Sequence, residues 1–266
     1  MKMKDSLGER ARFTVLDNED ISKDKEMTLK MLSQSVRNNY FYRMYDNLSN
    51  VEDIVSFTWG VNINNYLQAQ ASEQTFQAVV NSVWSLSEQA EYLMFRLLHN
   101  KSFVPKVLGT CGPAYFVEYT QTLKTFENSF SVLKSIPWHE RAKVAINLLE
   151  LIHTLDTNLH QTLHFCDMKA NNFGLRKNGE ITAIDTDCAL FHQDLLMQFN
   201  HSNCTQHSDC DFFDCLGWCD KDKGVCAVYR SNNNLQVKIL KISRYLKKKT
   251  ITQVFNIVLN VHITGI

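Results

Sequence analysis

The stretch that decides the fold is His164-Phe-Cys-Asp-Met-Lys-Ala-Asn-Asn-Phe173, with Asn178-Gly179 and Ile184-Asp185 following it. Asn172 lies five positions after Asp167, Lys169 stands between them, and Asp185 follows beyond a short turn. Asn-Gly between apolar runs is the strongest two-residue signal for a type I′ turn. Residues 173 to 176 and 180 to 184 are therefore expected to form the strands of a tight hairpin. Such a hairpin returns Asn172 and Asp185 to one end, side by side, as a shared cation site requires. Mg²⁺ takes oxygen ligands and keeps part of its shell for phosphate and water, so one amide and one carboxylate are enough protein chemistry. The plain alternative is an acidic surface hairpin with a coincidental Asp-x-Lys. The register of the second Asp argues against it.

The upstream sequence fits a catalytic fold with that loop at its centre. Ser85-x-x-Glu88 is a capping-box pattern expected to open a helix, with Ala90, Leu93, Met94, Leu97 and Leu98 as its apolar stripe and Glu91 at the stripe's edge. Residues 104 to 108 and 114 to 119 read as two strands around Gly109-Thr-Cys-Gly-Pro113. Pro137 then starts a long helix with Val144, Leu148, Leu151, Ile152 and Leu155 on one face. Helix, two strands, connecting segment, long helix, Asp-bearing loop and metal-binding Asp follow one another as in a protein kinase.

The run from about residue 85 to 228 resembles the divergent protein kinase domain 1 family. The match is carried by Val107-Leu-Gly-Thr-Cys-Gly-Pro-Ala-Tyr-Phe-Val-Glu-Tyr119, by His164-Phe-Cys-Asp-Met-Lys169 and by the cysteine cluster that follows. Members are cysteine-rich, kinase-like proteins of the endoplasmic reticulum with type II membrane topology. The resemblance implies an α+β, protein-kinase-like two-lobed fold with an incomplete N-lobe and a cysteine-rich, truncated C-lobe.

Composition is compatible with that size and class: 266 residues, 44% hydrophobic, allow one two-lobed domain with a sizeable core. The formal net charge is zero, so nothing indicates general affinity for nucleic acid or acidic membranes. Of the eight cysteines, Cys204, Cys210, Cys215, Cys219 and Cys226 fall close together. In a secreted chain such density means disulfides, and in a cytosolic one it means metal. The spacing lacks the paired C-x-x-C of a zinc ribbon, although His207 keeps a Cys/His zinc site open. Five is odd, so either Cys188 or Cys166 is expected to supply a partner. Four N-x-S/T sequons begin at Asn47, Asn100, Asn200 and Asn203, two of them beside the cluster. The N-terminus has no apolar signal region and no stretch approaches a membrane span, so a signal anchor is expected upstream of this chain.

Four regions are expected. Residues 1–84 form a partial N-lobe with an insertion. Residues 85–119 hold its helix and the strands leading to the hinge. Residues 120–230 form the C-lobe with the cysteine-rich segment 204–226, and 231–266 are an atypical tail carrying Lys238, Lys241, Arg244 and Lys247 to Lys249. No G-x-G-x-x-G phosphate loop occurs. Lys4 is the candidate phosphate-gripping lysine, and an exposed terminal lysine is the plain alternative. The insertion, as implied by the family, is EF-hand-like. Asp17 to Thr28 lacks the central Gly and the final Glu of that loop, which makes a solvated helix start the better reading.

On the kinase reading, Asn172 and Asp185 hold Mg²⁺ on ATP, Asp167 orients or deprotonates a substrate hydroxyl, and Lys169 neutralises the transferred phosphoryl group. Glu91 pairs with the phosphate-gripping Lys4. Cys166 replaces the Arg that usually precedes the catalytic Asp, which leaves an activation-loop phosphate without a receptor. Asp185-Thr186-Asp187 replaces Asp-Phe-Gly, and Asp187 is either an extra oxygen ligand or a solvated turn residue. The rival class is a pseudokinase that binds or scaffolds without catalysis. The substrate, whether protein, glycan or small molecule, is not specified.

Overall fold

The computed structural model describes residues 30–31, 51–60, 73–123, 137–200 and 203–237. Lys4, the 17–28 insertion and the basic tail from Lys238 lie outside the described residues.

Among the described residues, apolar positions recurring at three- and four-residue spacing produce the helices 51–59, 73–87 and 90–97 before the first strand. Helix α2, Glu73–Ser87, turns Phe76, Val79, Val80 and Val83 toward Val55 of α1, Val51–Trp59. Because the stripe continues to Leu86, α2 runs through Ser85, so this serine does not open the next helix. Helix α3, Ala90–Leu97, starts instead from Gln89, which makes no side-chain cap. Gln89 Nε2 donates back to the Ser85 carbonyl (2.9 Å) and across to that of Pro113 (2.8 Å), tying the start of α3 to the turn between the first two strands. Five of the α3 side chains are buried, and they serve two clusters. Tyr92 and Leu93 pack with Leu86, while Met94, Phe95 and Leu97 enter the main core.

Strands β1, Val107–Cys111, and β2, Ala114–Val117, form an antiparallel hairpin. Gly112, at φ 56°, supplies the positive φ that the first central position of a II′ turn demands. Glu118 to Thr120 then lead to β3, Gln121–Thr122, which joins a three-stranded sheet in the order β3-β5-β6, β5 being Phe173–Leu175 and β6 Ile181–Ala183. Helix α4, Trp138–Thr157, begins after Pro137 and lays Leu148, Leu151, Ile152 and Leu155 on the same core as Phe165, Phe173 and Ile181. Strand β4, Leu163–Phe165, pairs antiparallel with β7, Ala189–Phe191, and α5, His192–Phe199, follows directly.

The β5–β6 hairpin keeps the expected register, but its turn is not type I′. The Gly179 amide donates to the Arg176 carbonyl and the Arg176 amide to that of Glu180, both at 2.9 Å, while Gly179 alone in the loop has positive φ (90°). That is a three-residue loop closed by a left-handed glycine. Asn178 stays at negative φ and spends its side chain on the Glu180 amide (3.1 Å).

Gly174 on β5 is fixed by close approach of the hinge: a Cβ there would sit 2.0 Å from Thr120 Oγ1 and 2.7 Å from its Cβ. Gly174→Ala is expected to cost about 1–3 kcal/mol in urea unfolding, the range for forcing atoms into filled space. Adding Thr120→Gly should recover most of it; an unrecovered loss would mean that the hinge is not the obstacle.

The cysteine-rich segment folds around three disulfides: Cys166–Cys215, Cys204–Cys219 and Cys210–Cys226. These bonds consume the Cys204, Cys210 and Cys219 sulfurs that lie close enough to suggest a metal. His207 accepts the Cys219 amide at Nδ1 (3.1 Å) and stacks on Trp218. The zinc alternative is thereby overturned, and of the two candidate partners for the odd fifth cysteine it is Cys166 that pairs while Cys188 keeps a free thiol. Disulfides of this number persist in an oxidising, secretory or extracellular compartment. Among the described residues no helix is long and apolar enough to cross a membrane.

Candidate functional site

The loop after β4 is fixed from three sides before any functional side chain is considered. The Cys166 amide donates to the Cys188 carbonyl (2.9 Å), the Asp214 amide to the Cys166 carbonyl (2.6 Å), and the Met168 amide to Asp214 Oδ2 (2.7 Å). A single 3₁₀ turn, Ala170–Asn172, follows, and the Ile184 amide donates to the Asn172 carbonyl (2.8 Å), so the β5–β6 ladder begins at the site itself. Asp167 is therefore presented by a loop whose backbone polar groups are largely spoken for.

Its carboxylate organises the neighbours. Asp167 Oδ2 accepts hydrogen bonds from Lys169 Nζ and, at 3.0 Å, from Asn172 Nδ2, and that same amide nitrogen donates to the Asp167 carbonyl at 2.9 Å. The bond to Asp167 holds the half-exposed Lys169 ammonium above its ordinary value, and the charge of Asp185 adds to the effect. Asn172 is 2% exposed, and with its nitrogen committed to Asp167 its Oδ1 is left buried without a partner. An orphaned buried amide oxygen is costly unless something electropositive meets it.

Asp185 leaves β6 on the side of α3. Carboxylate oxygens of Glu91, Asp185 and Asp187 lie within 4.8 Å of one another. Burial first, then the charges of Asp187 and Asp185, push Glu91 up to about 7, against the opposing pull of hydrogen bonds from Tyr115 and the Thr186 amide. The Tyr115 phenol donates to Glu91 Oε1 and is itself driven upward by burial and by that carboxylate. Cys188 feels Asp167, Asp187 and Asp185 together, and with burial as the leading cause its thiol rises to about 11.

The structure thus brings Asp167, Lys169, Asn172, Asp185 and Glu91 to one site, while Lys4 lies outside the described residues. Among those residues Glu91 is met by a tyrosine rather than a lysine. The donor set, three carboxylates and an unsatisfied amide oxygen, suits a hard divalent cation. The connection from β2 is clamped nearby: Arg176 pairs with Glu118 and donates to the carbonyls of Ser102 and Val104. Tyr115 and Asp214 were not singled out by the sequence. Tyr115 stands inside the run that carried the family resemblance, whereas nothing local marks Asp214, whose role depends on a bond spanning 46 residues.

A family model described as the protein-kinase domain of FAM69 matches residues 83–261. No solved structure matches the chain.

Proposed function

This chain belongs to the divergent protein kinase domain 1 family, the FAM69 protein-kinase domains, and from that premise we propose that it binds ATP with Mg²⁺ and transfers a phosphoryl group to a hydroxyl on a protein, glycan or small molecule. The observation that carries this reading is the hydrogen-bonded unit of Asp167, Lys169 and Asn172 next to Asp185 at the open end of the β5–β6 hairpin.

Asn172 through Oδ1 and Asp185 through its carboxylate would hold the cation. When bound, it neutralises phosphate charge and orients the nucleotide. Asp167 uses Oδ2 for Lys169 and Asn172, which leaves Oδ1 to accept the proton of the substrate hydroxyl. Lys169 lies half-exposed at the rim, where its ammonium would move from Asp167 to the transferred phosphoryl oxygens. Most of the rate on this reading comes from positioning and charge neutralisation.

Three disulfides support an endoplasmic reticulum lumenal setting. Exposed Asn100 and Asn203 would be the glycan acceptors. One observation favours the pseudokinase alternative: Glu91 is engaged by Tyr115 where a kinase engages a lysine.

Titration with a non-hydrolysable ATP analogue and Mg²⁺ tests the reading. Binding should weaken at least about tenfold in Asp185→Asn, as expected when a phosphate-bridging ligand is lost. Labelled ATP then separates the two classes. Phosphate transfer that disappears in Asp167→Asn marks an enzyme, and nucleotide binding without transfer marks a pseudokinase. No nucleotide binding at all would overturn both.

A further inference from the structure

Kinase logic gives the helix glutamate a lysine partner, but in this molecule Glu91 is drawn into the acidic end of the hairpin. We propose that Glu91 is itself a cation ligand, and that with Asp185, Asp187 and the Asn172 amide oxygen it forms a site that takes one hard divalent cation without nucleotide. This rests on the reading of Asp185 and Asn172 as cation ligands and extends it to residues on α3 and beyond the hairpin.

Three features converge. The carboxylate oxygens of Glu91, Asp185 and Asp187 come from two separate elements, and none is more than 4.8 Å from another. Two ligands on opposite sides of a Ca²⁺ ion stand roughly that far apart, since each Ca–O distance is about 2.3–2.6 Å. Independently, Asn172 Oδ1 is buried and unpartnered. Its Nδ2 end is held on Asp167, and its backbone is paired to Ile184, the residue before Asp185. Asn172 Oδ1 is therefore a fixed, desolvated acceptor on the residue whose carbonyl pairs with the amide preceding Asp185. Finally, Glu91 accepts hydrogen bonds from Tyr115 and from the Thr186 amide, the residue between Asp185 and Asp187, which fix the α3 carboxylate against that acidic turn.

The ligand class follows from the donor count. Mg²⁺ is usually bound through one or two carboxylates plus phosphate oxygens and keeps several waters, whereas a dense oxygen cage with three carboxylates favours a larger, more flexible ion. Ca²⁺ or Mn²⁺ should therefore bind more tightly than Mg²⁺ when nucleotide is absent.

The experiment uses the full chain, produced with its disulfides, and adds MnCl₂, CaCl₂ or MgCl₂ separately in calorimetric titrations and thermal unfolding. Tb³⁺ luminescence excited through tyrosine serves as a local readout, because Tyr115 touches the proposed ligand. The expected result is one site per chain, preferring Mn²⁺ or Ca²⁺, which Glu91→Gln weakens at least tenfold and from which it removes the Tyr-sensitised signal. Glu88→Gln, an exposed acid three residues earlier, should leave both unchanged. Without metal, Glu91→Gln should melt at or above the wild-type temperature, because it relieves repulsion among three carboxylates. If Glu91→Gln does not fold, Asp187→Asn supplies the same readout. Wild-type cation binding in Glu91→Gln overturns the proposal; if Asp185→Asn has meanwhile lost the cation, the narrower Asn172/Asp185 site of the kinase reading survives. Unchanged binding in both variants overturns both.

Discussion

Replacing Cys166 and Cys215 together with alanine lowers stability by about 4 kcal/mol, the loop-closure term for a cross-link between residues 49 apart in sequence. The same change at Cys204–Cys219, 15 apart, costs about 3 kcal/mol. The difference in kind should exceed the difference in magnitude. Cys204–Cys219 lies within the cysteine-rich segment, whereas Cys166–Cys215 joins that segment to the residue immediately before Asp167. Asp214, next to Cys215, also holds the Met168 amide and donates its own amide to the Cys166 carbonyl. Losing the bond therefore frees both ends of the short clamp that positions Asp167. Urea unfolding reads the global cost, and hydrogen exchange at the Met168 amide reads the local one. Faster exchange at Met168 in the Cys166/Cys215 variant but not in the Cys204/Cys219 variant is the expected pattern. Equal exchange in both would show that the disulfide does not support the loop.

This clamp also explains the position that departs from most kinases. Where an arginine usually receives an activation-loop phosphate, Cys166 is buried in a disulfide, packed with Leu195, Phe199 and Cys215. A covalent tether fixes the loop continuously and cannot be switched by phosphorylation. The cysteine-rich segment, expected from sequence as part of the C-lobe, is the wall against which the loop bearing Asp167 is built.

The site was legible in the sequence where its geometry is local. Asp167, Lys169 and Asn172 lie within one turn of backbone, so their spacing nearly dictates the hydrogen bonds observed. The β5–β6 hairpin was legible through Asn178-Gly179 and the apolar residues on either side. Its turn type was not, because Asn178 has a second outlet, the Glu180 amide, that lets it remain at negative φ. The Ser85 boundary failed for a related reason: the apolar stripe of α2 extends past the capping pattern, and burial of Leu86 outweighs a cap. Disulfide connectivity was invisible because spacing does not encode which cysteines meet. Long-range polar contacts were equally hidden. Asn234 accepts from the Phe165 amide across 69 residues, and no property of either neighbourhood announces it.

That Asn234 contact belongs to a half-buried polar network whose removal should have the other large effect: Arg230→Met is expected to destabilise the domain by about 2–3 kcal/mol, as when hydrogen bonds from a charged donor are lost and the buried acceptors Asn234 and His164 are left unpaired. Arg230 donates to Asn232 Oδ1 (2.8 Å) and Asn234 Oδ1 (2.9 Å), and its Nη1 meets His164 Nδ1 at 2.8 Å. A guanidinium can only donate, so His164 Nδ1 accepts and the ring proton sits on Nε2, which donates to His192 Nδ1 (3.0 Å). Asn234 in turn donates to Asp156 Oδ1 and to the Leu163 carbonyl, both at 2.9 Å. Burial pushes Asp156 up, while Asn234 and Arg230 pull it back. Burial also lowers Arg230 to about 10, which leaves it charged at neutral pH. Its loss would strip His164, Asn234 and Asp156 of a shared partner, and a lysine, lacking the planar fork, should not restore it. The pH dependence carries a sign. Burial first, then Arg230 and His192, lower His164 to about 3, so between roughly 6.5 and 3 the unfolded chain binds a proton that the native state refuses. Stability from this group is present above pH ~6.5 and is lost as pH falls toward 3. Glu91, raised to about 7, acts in the opposite direction and gains stability as pH falls below 7, but it contributes equally to both proteins and cancels in their difference. Without Arg230 the depression of His164 is smaller and Asp156 protonates more readily in the native state. The mutational cost should therefore be greatest near pH 7 and shrink on acidification. Urea melts of wild type and Arg230→Met at several pH values between 7 and 4.5 measure it; a cost below about 1 kcal/mol, or one that grows as pH falls, would mean that this network does not hold the strand leading into Asp167.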